Sequence, residues 1–255
     1  LRRGMLRLRR KEYSEAVSDL SRAYTASQDA ETGLLLAEAL LGAGRAEEAR
    51  KLLEVLSTSN DPTVRKHLPE LLLATGQQEA ALAELERTLV ADSQNTELMA
   101  RFAELLTPSD PIRAIDYWKQ VLSKVERAEY ITGYASALLK AARFEEAVRE
   151  YQRSLRLQDS YEAHAGLGLA LFKLEQFAPA AEQFIVVMRK RPEVAINYYF
   201  LGICFDRMGD LVQAEKAYVY FKQVADPDLN RLEIEKVDLR LPILRRQLEK
   251  GKKKR

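Results

Sequence analysis

Seven alanines, Ala16, Ala49, Ala81, Ala114, Ala147, Ala180 and Ala214, recur at intervals of 32 to 34 residues along the whole chain. A fixed interval of that length means that the fold is built by stacking one supersecondary unit on the next. A second column, mostly tiny residues, lies twelve positions upstream in most copies: Gly4, Ala37, Pro69, Ala135, Gly168 and Gly202, with Ala103 eleven upstream of Ala114. Four positions after each alanine stands a bulky apolar residue: Leu20, Leu53, Leu85, Trp118, Tyr151, Phe184 and Tyr218. A small residue followed by a large one at i+4 marks one buried face of a helix. Two small columns therefore imply two close helix contacts per unit. Each unit reads as two amphipathic helices whose backbones approach at the small residues, while the large side chains fill the groove beside them. Neither helix is stable alone, and each unit buries its remaining apolar face on its neighbours.

Turn chemistry agrees with this division. Gly44, Gly76 and Gly209 fall between paired helices, where a left-handed residue ends the first one. In the fourth unit Thr107-Pro108-Ser109-Asp110-Pro111 is one residue shorter, with Asp110 placed to cap a helix that Pro111 begins: a tightened turn rather than a break. Only eight prolines and eleven glycines occur in 255 residues, so most of the chain must be helix. After Pro227 the spacing stops. Residues 229–250 read as a closing helix whose Leu232, Val237, Leu239, Leu241, Ile243, Leu244 and Leu248 are available to cover the last unit, and Pro242 should bend or divide it. Residues 251–255 read as a short basic tail, expected to be disordered.

The sixth unit carries Leu167-Gly168, Leu171, Phe177, Ala180, Phe184 and Pro192. The seventh carries Tyr198, Leu201-Gly202, Gly209, Ala214, Tyr218 and Pro227. These residues resemble the tetratricopeptide repeat family, over about residues 1–228, with the second to fourth units degenerate. Pro69 departs from the pattern, in a column where the family carries glycine or alanine, and should kink its helix. The resemblance implies an all-α, right-handed superhelical solenoid of about seven helix-turn-helix repeats, at approximately 1–29, 30–61, 62–95, 96–127, 128–160, 161–194 and 195–228, closed by the C-terminal capping helix. The first repeat lacks the start of its first helix and the chain opens on Leu1, so the sequence reads as a fragment or processed form. The compartment stays open between cytoplasm and periplasm or envelope, and the richness in alanine, leucine and arginine suggests a bacterial source.

Charged residues are 31% of the chain and nearly cancel, at a net charge of +2, which describes a solvated surface rather than a protein built around nucleic acid. One cysteine, Cys204, forms no internal disulfide. It falls in a packing column beside Ala39, Leu71, Ala137 and Ala170, so it reads as a buried small residue rather than a nucleophile. His67 and His164, the two histidines, make no zinc site by themselves and read as structural or surface residues. No phosphate loop, dinucleotide fingerprint or metal-ligand cluster stands out, so neither catalysis nor a cofactor is expected, and no small-molecule substrate.

In the family the first helix of each unit forms the concave inner wall, and that groove is the usual binding surface. Next to the small column stand Glu38, Glu70 and Glu104 in successive units. The last three units carry Lys140, Lys173 and Arg207, near Phe172, Tyr199 and Ile203. The expectation is a scaffold that binds another protein or peptide in the groove. The partner's basic part would lie at the glutamates, its acidic part or C-terminal carboxylate at the lysines and arginine, and apolar anchors at Phe172, Tyr199 and Ile203. The lysine and asparagine clamp that some family members use for chaperone tails is missing: Thr132, Ser136, Ala165, Leu169, Tyr199 and Ile203 stand in its places. Two alternatives remain. One is binding of nucleic acid or an anionic membrane through the basic ends, at Arg2, Arg3, Arg7, Arg9, Arg10 and Lys11 and at residues 250–255. The other is service as the recognition arm of a larger enzyme. An apolar end of the solenoid also offers end-to-end self-association.

Overall fold

In the computed structural model, which describes residues 1–58 and 61–253, the repeat becomes a succession of helices joined by short turns. In chain order these are α1 Arg2–Arg9, α2 Tyr13–Ser27, α3 Ala30–Gly42, α4 Ala46–Leu56, α5 Pro62–Ala74, α6 Gln78–Ala91, α7 Thr96–Leu106, α8 Pro111–Lys124, α9 Ala128–Lys140, α10 Phe144–Leu157, α11 Tyr161–Lys173, α12 Phe177–Lys190, α13 Ala195–Arg207, α14 Leu211–Val224 and α15 Arg231–Lys253. No strand occurs among the described residues. Two compact units divide the chain, Leu1–Leu106 with α1 to α7 and Thr107–Arg255 with α8 to α15.

Left-handed residues stop the helices where the glycines predict. Gly44, Gly76 and Gly209 have φ of 72°, 74° and 81°. The amides that follow fold back on the last turn: Gly44 N donates to Leu41 O at 3.0 Å and Arg45 N to Leu40 O at 2.8 Å, which satisfies carbonyls that the helix end leaves unpaired. The same conformation recurs without glycine at Lys11, Ala142 and Glu175, with φ of 60°, 59° and 59°. The repeat position imposes it there against side-chain preference. The fourth turn uses the predicted alternative: Asp110 accepts a hydrogen bond from Arg113 N at 3.1 Å, and Pro111 opens α8.

Asp29 caps α3 in the same way. Its carboxylate accepts from the Ser27 hydroxyl at 2.6 Å and from Thr32 N at 2.9 Å. The Ser27 bond, then those from Thr32, hold its pKa down to about 2. A depressed carboxylate contributes stability above its unfolded pKa of about 4, and that contribution is lost as the pH falls toward the folded value. Asp29→Ala should therefore cost about 1 kcal/mol near neutral pH. Urea titrations of the two proteins should converge as the pH is lowered from about 5 toward about 2. A constant difference over that range would mean that the carboxylate is not the cap.

Packing follows the two columns. All seven repeat alanines are 0% exposed. The large residues one turn later are buried in every copy, from Leu20 to Tyr218. The small column lets them in: a methyl added at Gly4 would collide with the Leu20 side chain, and one at Gly202 with the Tyr218 ring. In unit 1 the core runs from Leu8, Val17 and Leu20 through Leu36 and Leu40, and from Leu53 and Leu56 to Val64, Leu68 and Leu72. In unit 2, Phe184 stacks on Phe200 with centroids 5.6 Å apart.

Neither proline ends its helix, which corrects the reading of Pro242 as a divider of the closing helix. α5 runs through Pro69 without ending, and that residue is buried in its column. α15 likewise continues through Pro242 as one helix rather than two. Pro242 lies on the exposed side, where the carbonyl that loses its backbone donor can be hydrated. The helix also reaches Lys253, beyond the expected start of the tail at 251. Lys254 and Arg255 lie outside the described residues. The buried face of α15, made of Val237, Leu241 and Leu244, packs with Tyr198, Tyr218 and Phe221 of α13 and α14. Arg240 adds a two-pronged ion pair to Asp206, with both contacts at 2.6 Å.

Candidate functional site

In unit 1 the first helices α3 and α5 pack side by side and enclose, with Tyr13 at the start of α2, an open cavity of about 620 Å³. Spacings of three, four and seven residues bring one face of each helix to it: Glu31, Leu34, Leu35, Glu38, Leu41 and Gly42 from α3, and His67, Glu70, Leu71 and Ala74 from α5. Leucines form its floor, and Glu31, Glu38, Glu70 and His67, all exposed, form its rim. The structure thus brings Glu38 and Glu70 together. Glu104 is exposed on α7 and does not line the cavity. Glu70 also meets Arg101 of α7 at 2.7 Å, so part of the acidic row is already paired. Glu31, Tyr13 and His67 were not among the expected site residues, although Glu31 stands seven before Glu38 and His67 three before Glu70.

In unit 2 the three basic residues of the row share one local property. Lys140, Lys173 and Arg207 are each the last residue of their helix, α9, α11 and α13. A cation there complements the carbonyl end of the helix dipole, so their recurrence has a structural cause besides any ligand. All three are exposed. The Arg207 guanidinium also lies 5.9 Å from the Phe177 ring centroid. The apolar residues expected beside them are half-buried and already engaged. Phe172 meets Phe177 and Phe200 edge-on, at 5.8 and 5.2 Å. Tyr199 meets Phe200 and Phe221 at 5.6 and 5.5 Å, and Tyr199 and Ile203 pack on the core that includes Val237 and Leu241 of α15.

The groups that most resemble catalytic ones are occupied by the fold. Cys204 is 0% exposed, and burial pushes its thiol up to about 12, away from thiolate chemistry. The His164 ring lies between Gln183 Oε1 at 2.7 Å and Asp159 Oδ1 at 2.9 Å. Asp159 also takes Lys190 Nζ at 2.8 Å, and that bond, more than the histidine, holds its carboxyl below the usual range. Of the basic residues that open the chain, Arg3 and Arg7 both clamp the buried Asp19, whose carboxyl is held down first by the hydrogen bond from Arg3. Among the described residues no three metal-ligating side chains gather, and no helix is long and apolar enough to cross a membrane.

Two family profiles, both described as tetratricopeptide repeat, match residues 7–65 and 133–186. None of the curated proteins matches the chain. Among solved structures, a tetratricopeptide repeat protein from Parabacteroides merdae superposes over 95% of this chain and 96% of its own, with a TM-score of 0.71 at 13% identity. MamA from Desulfovibrio magneticus RS-1, residues 41 to the end, covers 65% of this chain and 96% of its own, with a TM-score of 0.59 at 19% identity. YrrB, described as a tetratricopeptide repeat protein with an unusual peptide-binding site, covers 69% of this chain and 92% of its own, with a TM-score of 0.54 at 20% identity. Likeness at these identities speaks for the fold. The two matching profiles, with the helix pairs and the buried alanine column, show that this chain belongs to the tetratricopeptide repeat family.

Proposed function

We propose that this protein-interaction scaffold takes up segments of another polypeptide on its first helices: a basic, apolar stretch in the unit 1 cavity, and an acidic stretch at Lys140, Lys173 and Arg207 in unit 2. The observation that carries this reading is the cavity between α3 and α5. Its floor of Leu34, Leu35, Leu41 and Leu71 accepts an aliphatic or aromatic anchor, while Glu31, Glu38 and Glu70 meet a lysine or arginine beside it. The peptide-binding site described for YrrB is a precedent on the same fold. In unit 2 the three exposed cations end their helices, and carboxylates of a partner would join the carbonyl ends in facing them.

Selection of random displayed peptides on the protein tests this. The peptides enriched should place a lysine or arginine next to an aliphatic or aromatic residue. Glu38→Arg should weaken them about tenfold or more by replacing attraction with repulsion. Melting should not change, because Glu38 is exposed. The variant carrying Lys140→Ala, Lys173→Ala and Arg207→Ala should spare those peptides and weaken acidic ones. Selected basic peptides that bind the Glu38→Arg protein as well as the wild type would move the site away from the cavity.

A further inference from the structure

α15 is apolar on two sides, and the fold uses only one of them. Val237, Leu241 and Leu244 are buried in unit 2. Leu232, Leu239 and Ile243 stand on the opposite side, 64%, 75% and 50% exposed, and Leu229 in the preceding turn is 84% exposed. Offsets of seven and eleven residues align the three along one helical stripe. Single exposed leucines are ordinary, but an aligned set on a helix whose core face is already filled marks a surface that something else covers.

The borders of the stripe say what kind of surface fits. At 100° per residue, Lys236, Arg246 and Lys250 fall within about 40° of it, and all three are exposed. Glu235, the acid nearest the stripe, is paired with Arg231 at 3.2 Å, and Asp238 is held by Lys222 on the far flank. Residues 231–255 contain ten lysines and arginines against four acids, in a chain whose total charge is +2. The rest of the chain is therefore net acidic, and the positive charge is concentrated on this helix and the residues after it.

We propose that α15 is a membrane-surface helix that lies flat on an anionic bilayer. Leu229, Leu232, Leu239 and Ile243 would enter the interface, while Lys236, Arg246 and Lys250 meet lipid phosphates and carboxylates. A convex helix flank with apolar and basic residues side by side suits the boundary between headgroups and acyl chains. A second copy of this helix would bring its like-charged borders together. Nucleic acid would satisfy the lysines and arginines but leave the leucines in water.

Sedimentation with vesicles tests the assignment on the whole chain. Wild-type protein should bind phosphatidylcholine vesicles containing phosphatidylserine at least about tenfold more strongly than phosphatidylcholine alone. Leu232→Ser, Leu239→Ser and Ile243→Ser together should reduce that binding about tenfold, and so should Lys236→Glu, Arg246→Glu and Lys250→Glu together. Both sets change exposed residues, so melting curves should superpose. A separate Leu239→Trp protein should shift its emission to the blue when anionic vesicles are added, a readout that does not depend on the multiple variants folding. The proposal is overturned by unchanged Leu239→Trp emission, by full vesicle binding of the serine variant, or by equal binding to neutral and anionic vesicles. It is equally overturned if the stripe instead supports a dimer or nucleic-acid binding without vesicle binding.

Discussion

Phe184→Ala should lower the stability of unit 2 by about 3–5 kcal/mol, read as a shift of the urea midpoint at constant slope. Phe184 is the large member of the small-large pair in the sixth repeat, 2% exposed. Its ring stacks on Phe200 of α13 and lies against Gly168 of α11, where even an added methyl would come within 3.2 Å of it. It therefore wedges three successive helices, α11, α12 and α13, and truncating it opens a cavity whose walls are held by helix contacts on every side. Collapse is restricted, so the cost should fall in the upper part of the range for aromatic truncation. Leu157→Ala, at a residue 55% exposed on the end of α10, should change stability by less than about 0.5 kcal/mol. A loss below about 1 kcal/mol at Phe184 would show that the i+4 residue of the repeat is not the wedge the columns imply.

That contrast explains why the fold was readable. A residue such as Ala180 or Phe184 is defined by its partners in the neighbouring helix, and the repeat presents those partners again at each interval. The columns therefore record contacts, not merely helix propensity. Turns were legible where glycine marked them, or where Asp110 and Pro111 did. Ala142 and Glu175 adopt the same left-handed conformation as Gly44, and only their place in the repeat reveals it. Proline misled in the other direction. Pro242 does not divide α15, because a lost backbone donor matters less on a solvated flank than inside a packed face.

The candidate site was legible in part, for reasons that particular side chains show. Glu38 and Glu70 line one cavity, as their equivalent repeat positions suggest. Arg101, which pairs with Glu70 at 2.7 Å, lies 31 positions away in sequence, and nothing short of the packed helices brings it there. Lys140, Lys173 and Arg207 recur because each ends a helix, a cause that becomes visible once the helix ends are placed. Phe172, Tyr199 and Ile203 sit on flanks that adjoin both the expected groove and the next helix. A small rotation of the helix decides between these roles, and the structure has them packing against their neighbours.

Removing residues 231–255 should destabilise unit 2 by roughly 5 kcal/mol or more, because three buried side chains contribute about 1.5–3 kcal/mol each. Val237, Leu241 and Leu244 are 1%, 6% and 0% exposed, and without them Tyr198, Tyr218 and Phe221 lose cover. The ion pairs Arg240 to Asp206 at 2.6 Å and Arg245 to Glu215 at 2.7 Å go as well, leaving Asp206 beside the buried Tyr218 without its cation. A stacked array loses stability first in the repeat that has lost its neighbour. Hydrogen exchange should therefore speed up in α13 and α14 before it does in α9 and α10. The serine variant of the outer stripe, Leu232→Ser with Leu239→Ser and Ile243→Ser, should leave those rates alone, since its side chains make no part of this core. The two changes thus separate the faces of one helix: the inner closes the repeat array, and the outer is left for the bilayer. If the shortened chain kept the exchange rates and melting temperature of the whole, α15 would not be the cap, and Val237, Leu241 and Leu244 would need another reason for their burial.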